Sequence, residues 1–275
     1  MALVIQTNVA SLEAQRNLGK SQNALQSSFN KLSSGFRINT AKDDAAGLAI
    51  SESLKAQVRT LTVNERNAGD AISMAQTAEG ALGEISNIVL RMRELATQGA
   101  NGSLQSGDRD FIQTEFSNLQ KEVRRIMTST KFNGKQLITS AARSEHYQIG
   151  VANLTTDRIQ ISFGGILLQS LTASARVDSG PGNARGALDT IDTALFRVSQ
   201  ARARFGAMMN RFETTISNLQ SVRLNLASAN SRIRDVDVAD EAALQSRNQV
   251  LTQAGTSVLS QANQTPQSAM SLLRG

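Results

Sequence analysis

LDTIDTALFRVSQARARFGAMMNRFETTISNLQSVRLNLASANSRI, residues 188–233, is the stretch that decides the fold. Leu188, Ile191, Leu195, Val198, Arg202, Phe205, Met209, Phe212, Ile216, Leu219, Arg223, Leu226, Asn230 and Ile233 recur at alternating steps of three and four; eleven of these fourteen are apolar, and no proline interrupts them. On an α-helix such positions form one narrow stripe, so the segment predicts a single long helix packed against others. At about 1.5 Å per residue it spans roughly 70 Å, far more than a compact domain of this mass. The expected fold class is therefore mainly α: an elongated helical bundle or coiled-coil rod.

The first half carries the same signal. Leu54, Val58, Leu61, Glu65, Ala68, Ile72, Ala75, Ala78, Leu82, Ile85, Val89, Met92 and Ala96 keep heptad-like spacing with one 3,3 step, and the run stops near Gly99. After a Gly/Ser/Asn loop, Asp108 is placed to cap a helix bearing Ile112, Phe116, Leu119, Val123 and Ile126. Residues 132–180 differ: Tyr147, Ile149 and Val151, then Ile159, Ile161 and Phe163, alternate with polar residues and predict a small β-hairpin. At the two ends Leu18, Leu25 and Leu32, and then Leu244, Leu251 and Val258, each recur every seven residues. Stripes this thin predict helices that pair with each other or with neighbouring molecules. Pro266 is expected to stop the last helix ahead of the apolar tail Ala269, Met270, Leu272 and Leu273.

Composition narrows the chemistry. The 275 residues contain no Cys, no Trp, one His and one Tyr, which removes thiolate nucleophiles, disulfides and the common zinc sites. The net charge of +6 is spread along the chain without a dense basic run, and aromatics for base stacking are scarce, so nucleic acid is not an expected partner. No apolar run approaches the length of a bilayer span, and MALVIQTNVASLEAQ lacks the form of a cleaved signal. Asp43 and Asp44 read as helix-start charges and caps. Asp235, Asp237, Asp240 and Glu241 lack EF-hand spacing, His146 has no base or nucleophile nearby, and Gly164-Gly165 lacks a phosphate-loop continuation. The expectation is no enzyme and no cofactor.

Several strings, in order, carry a resemblance. Ile5-Gln6-Thr7-Asn8-Val9-Ala10-Ser11-Leu12 is followed by Lys31-Leu32-Ser33-Ser34-Gly35-Phe36-Arg37-Ile38-Asn39 and by Ala41-Lys42-Asp43-Asp44-Ala45-Ala46-Gly47. Then come Arg91-Met92-Arg93-Glu94-Leu95-Ala96, Phe132-Asn133-Gly134, and a tail running from Gln261-Ala262-Asn263-Gln264 to Leu272-Leu273. Over about residues 1–140 and 185–275 the chain resembles bacterial flagellin; the hook-filament junction protein shares the terminal patterns, and a cytoplasmic signalling or scaffold coiled coil shares the composition.

The resemblance implies a secreted structural subunit of the bacterial flagellum that polymerises with copies of itself into the motility filament. It implies passage through the flagellar type III apparatus and growth under a filament cap, with a hook-filament junction protein and an export chaperone as partners. Only about 50 residues separate the two halves, so outer domains are expected to be absent. The implied division is an inner tube-forming domain from residues 1–42 and 235–275, and a rod domain from 43–180 and 181–234. By resemblance, Leu18, Leu25, Leu32, Leu244, Leu251 and Val258 mark the polymerisation helices. Arg91, Leu95 and Glu115 map onto a Toll-like receptor 5 contact, with Arg91 and Leu95 expected to be exposed on one helix face. Met270, Leu272 and Leu273 mark a tail for a chaperone or an inflammasome-type sensor.

Overall fold

The computed structural model describes residues 7–274 except 167, 174 and 179, with side chains described as far as Gln264. Its elements are α1 (Val9–Ser34), α2 (Ala45–Gly99), α3 (Ser106–Ser129), β1 (Lys131–Phe132), β2 (Lys135–Gln136), β3 (Arg143–Gln148), β4 (Arg158–Phe163), α4 (Gln169–Ala173), α5 (Pro181–Arg234) and α6 (Val238–Arg274), with a short 3₁₀ turn at Thr155–Asp157. The chain divides into two units, one from residues 1–56 and 225–275 and the other from 57–224. The mainly α fold with a small β region stands as expected.

In the central unit, α2, α3 and α5 share one core that includes Leu82, Ile85, Val89, Met92, Phe116, Val123, Ile191, Val198, Phe205 and Phe212. Arg93 with Asp192 at 2.8 Å, Glu79 with Arg202 at 2.7 Å and Glu65 with Arg223 at 2.8 Å tie α2 to α5 as antiparallel neighbours. The buried side of α5 is Ala184, Ala187, Ile191, Ala194, Val198, Ala201, Phe205, Phe212 and Leu219. Ile191, Val198, Phe205, Phe212 and Leu219 were expected there. The positions between them differ from expectation: Ala187, Ala194 and Ala201 take the seam, while Leu188 and Leu195 are only half-buried and Arg202 is exposed. Small side chains let the helices approach, and the larger leucines then cover the shoulder of the seam.

The start of α3 also shifts. Gln105, not Asp108, is the N-cap residue, and the Asp108 carboxylate reaches back to accept from Gln105 N–H at 3.2 Å. Arg109 is buried, and its guanidinium donates to the carbonyls of Gly99 (3.3 Å) and Asn101 (2.9 Å) at the end of α2. These are carbonyls that a helix terminus leaves without partners.

The expected hairpin forms from β3 and β4, antiparallel, with Tyr147 opposite Ile159 and Glu145 opposite Ile161. Ile149 and Val151 lie beyond the strand, where Ile149 N–H donates to Asp157 O at 2.8 Å. The hairpin is fixed to the helices by three side chains. Asn64 and Asn67 donate to the carbonyls of Gly150 and Gln148, both at 3.1 Å, and the Tyr147 hydroxyl donates to Met74 Sδ at 2.8 Å. Tyr147 meets Phe212 edge-on, and Phe163 lies against Phe205. Burial, and secondarily Glu145 and Asp70, push the Tyr147 phenol up to about 12. A second hairpin, β1 with β2, turns at Asn133 and Gly134 with φ 47° and 77°. That is the geometry for which Asn-Gly is favoured.

In the terminal unit, α1 ends on Gly35 in the left-handed region at φ 74°, its N–H bonded to Lys31 O. Residues 35–37 then pair with 234–236: Arg37 N–H donates to Arg234 O at 2.7 Å, and Val236 N–H donates to Gly35 O at 3.1 Å. The Arg234 guanidinium lies 4.6 Å from the Phe36 ring and is bonded to Glu52. Asp44 accepts from Gly47 N–H at 2.9 Å as a cap of α2, and Asp43 accepts from Thr40 and secondarily from Asn39, whose hydrogen bonds hold its carboxyl below the usual range. A Cβ at Gly47 would lie 2.4 Å from Asp44 Oδ2 and 2.7 Å from Ile38 Cδ1, so a side chain there would displace the Asp44 cap and the Ile38 methyl.

Candidate assembly and recognition surfaces

The terminal unit is built on α1 packed antiparallel to α6. On α1 the covered positions include Ser11, Ala14, Leu18, Ser21, Leu25, Ser28 and Leu32. On α6 they include Glu241, Gln245, Asn248, Thr252, Gly255, Leu259 and Ala262. Both sets step by threes and fours, so two regular stripes meet. Ser11 donates to Asn263 at 2.8 Å at one end, and Lys31 lies 3.8 Å from Glu241 at the other. Leu18 nests over Gly255, where an added Cβ would come within 3.1 Å of its Cδ1.

This seam takes Leu18, Leu25 and Leu32 from α1 but not the heptad leucines of α6. Leu244, Leu251 and Val258 are 43%, 48% and 58% exposed, and Val250 beside them is 62% exposed. Thus α6 turns a mostly polar face, with Gly255 and Leu259 in it, to α1 and keeps the stripe Leu244, Leu251 and Val258 exposed. The serine, glycine and threonine content of the seam is the reason, because those residues let the helices approach more closely than opposed leucines would.

Pro266 does not stop α6, which runs on to Arg274. Proline has no N–H, so the carbonyl four residues earlier, Ala262 O, loses its helical donor. Asn8 replaces it: Asn8 Nδ2 donates to Ala262 O at 2.8 Å, while Asn8 Oδ1 accepts from Ser11 N–H at 3.1 Å and caps α1. This compensation between residues far apart in sequence is what the local reading of Pro266 missed. The side chains of Met270, Leu272 and Leu273 lie outside the described residues.

In the central unit, Arg91 donates to Glu94 at 2.8 Å and to Glu115 at 2.9 Å, bridging α2 and α3. Those two carboxylates, Glu94 first, hold the guanidinium pKa above its ordinary value. Arg91 and Glu115 are about half exposed and form one charged surface. Leu95 does not join them: it is 2% exposed and lies in the core with Met92 and Ala96. The core face of α2 is wider than the stripe Val89, Met92 and Ala96 alone, and it draws Leu95 inward. The large exposed apolar residues of this unit include Leu90, Phe111 and Phe196. Leu90, Arg93, Glu94, Thr97, Gln98 and Asn101 line a shallow groove along α2.

Among the described residues, no cluster of His, Asp and Glu is arranged to hold a metal, and no helix is long and apolar enough to cross a membrane. What the geometry offers is helix faces for packing against other chains.

Comparison with known proteins agrees with that reading. The bacterial flagellin N-terminal helical region matches residues 5–142, and the bacterial flagellin C-terminal helical region matches residues 188–273. A flagellin of Halalkalibacterium halodurans is 44% identical over 274 residues, covering 99% of this chain and 100% of the relative. The flagellar filament 33 kDa core protein of Treponema phagedenis is 38% identical over 291 residues, with the same coverage. A putative flagellar hook-associated protein from Vibrio parahaemolyticus is similar in structure, with a TM-score of 0.59, covering 70% of this chain and 100% of that one. At 13% identity, that likeness concerns the fold alone. The junction protein and the coiled-coil scaffold therefore give way: the chain belongs to the bacterial flagellin family, the structural subunits of the flagellar filament.

Proposed function

We propose that this subunit polymerises through its terminal unit, with the free stripe Leu244, Leu251 and Val258 of α6 seated against a neighbouring copy. The carrying observation is the exposure of that stripe on a helix whose other face is already occupied by α1. Covering what remains exposed contributes about 1 kcal/mol per side chain, and a helical lattice repeats the gain at every subunit. On this reading residues 1–42 and 235–275 form the inner tube-forming domain, and residues 43–234 form the rod domain. Before assembly the same stripe is an exposed apolar surface, which suits a dedicated export chaperone, and secretion through the flagellar route followed by growth under a cap fits the family. Electron microscopy of the purified chain after addition of short filament seeds tests the proposal. Long tubes are the expected result, and isolated monomers or dimers at all concentrations contradict it.

The charged surface of Arg91 and Glu115 supports a second role, as the contact for Toll-like receptor 5. Their bridge presents both groups in a fixed arrangement. A receptor reporter assay on monomer is expected to give a signal that Arg91→Ala reduces, while silence from the unaltered chain rejects the role.

A further inference from the structure

Two Asn-Gly dipeptides occur in the chain, Asn101-Gly102 and Asn133-Gly134, and the fold treats them differently. We propose that Asn101 is a site of spontaneous deamidation that changes the charge of the α2 groove, whereas Asn133 is held against the same reaction. In this reaction the Gly102 nitrogen attacks Asn101 Cγ. The new N–Cγ bond closes a succinimide ring, the Cγ–Nδ2 bond breaks, and ammonia leaves with the proton from Gly102 N. Water then opens the ring at one carbonyl to give aspartate, or at the other to give isoaspartate.

Four features favour this at Asn101. Asn101, Gly102 and Ser103 are exposed in the loop between α2 and α3, and no strand pairing resists the rotation that ring closure needs. Among the described residues the attacking Gly102 N–H donates to no acceptor, and a Cβ at Gly102 would meet nothing within 4 Å. Ser103 N–H donates to Asn101 Oδ1 at 3.2 Å, so a donor already faces the oxygen on which negative charge develops. Two anchors hold Asn101 itself, its N–H donating to Gln98 O at 3.1 Å and its carbonyl accepting from Arg109 at 2.9 Å, and neither of them fixes the Gly102 nitrogen. By contrast, Asn133 sits at φ 47° between paired strands, and among the described residues no N–H donates to its side-chain oxygen. Ring closure there has to break the turn.

The product has two consequences. Aspartate adds a carboxylate to the groove that Asn101 lines with Arg93 and Glu94. Isoaspartate routes the main chain through the side-chain carbon and moves the residue-101 carbonyl away from buried Arg109.

The test incubates the full chain as monomer at mildly alkaline pH and maps both sites by mass spectrometry, with isoaspartyl methyltransferase labelling to read isoaspartate. Asn101 is expected to deamidate about tenfold faster than Asn133, a modest share of what one oxyanion donor supplies in an enzyme. The rates should converge in denaturant, where the dipeptides are equivalent. Gly102→Ala, with an unchanged circular dichroism spectrum, should suppress the reaction at Asn101. Equal rates in the folded chain, or a preference for Asn101 that survives in denaturant, overturns the proposal.

Discussion

Asn8 uses both ends of its amide, one to cap α1 and the other to satisfy the carbonyl that Pro266 leaves open. Asn8→Asp keeps the cap oxygen and loses the donor, so it should lower the stability of the terminal pair by about 1–2 kcal/mol. In a Pro266→Ala background residue 266 supplies its own N–H, and the loss should shrink towards zero. A double-mutant cycle by thermal denaturation reads this coupling, and additive effects refute it. Tyr147 offers a second test. Its folded pKa is raised from about 10 to about 12, so the folded state holds the proton more tightly than the unfolded chain. Its contribution is present in full below pH 10 and is lost as pH rises from 10 to 12. It is the only tyrosine, so phenolate absorbance reports it alone. Tyr147→Phe should flatten that part of the stability profile relative to the parent chain, and identical profiles exclude the effect.

At the scale of elements, the heptads predicted where the helices lie better than which residues face inward. Every second seam position of α5 was legible, because Ile191, Val198, Phe205, Phe212 and Leu219 are large, apolar and seven apart. The intervening positions were not, since hydrophobicity alone favours Leu188 and Leu195 over Ala187 and Ala194. The deciding factor is the distance between helices, which a single sequence does not display. Ala194→Leu should therefore destabilise the central unit by about 1–3 kcal/mol through overpacking. Leu195→Ala should cost less, and denaturant titration of both variants checks the order. The β1–β2 turn was legible in principle as Asn133-Gly134 between short strands. The buried cap by Arg109 was not, because burial of arginine runs against its usual place at the surface.

For the molecule as a whole, the two ends of the chain make one helix pair, as the distant matching stripes implied. The face was where the two heptads parted: Leu18, Leu25 and Leu32 of α1 went into the seam, while Leu244, Leu251 and Val258 of α6 stayed outside it. A heptad signals a face that wants covering, but it does not say whether the cover comes from the same chain or from a copy. On the receptor surface, Arg91 and Glu115 were found together, and Leu95 was lost to the core because its exposure depends on how far α3 and α5 wrap around α2. We propose that the exposed face of α6 joins subunits while the seam joins α6 to α1. Seeded polymerisation of a variant carrying Leu244→Ser, Leu251→Ser and Val258→Ser, with monomer helicity verified by circular dichroism, tests it most directly. The expected result is a folded monomer that adds no length to the seeds. Filaments growing at the rate of the unaltered chain contradict it.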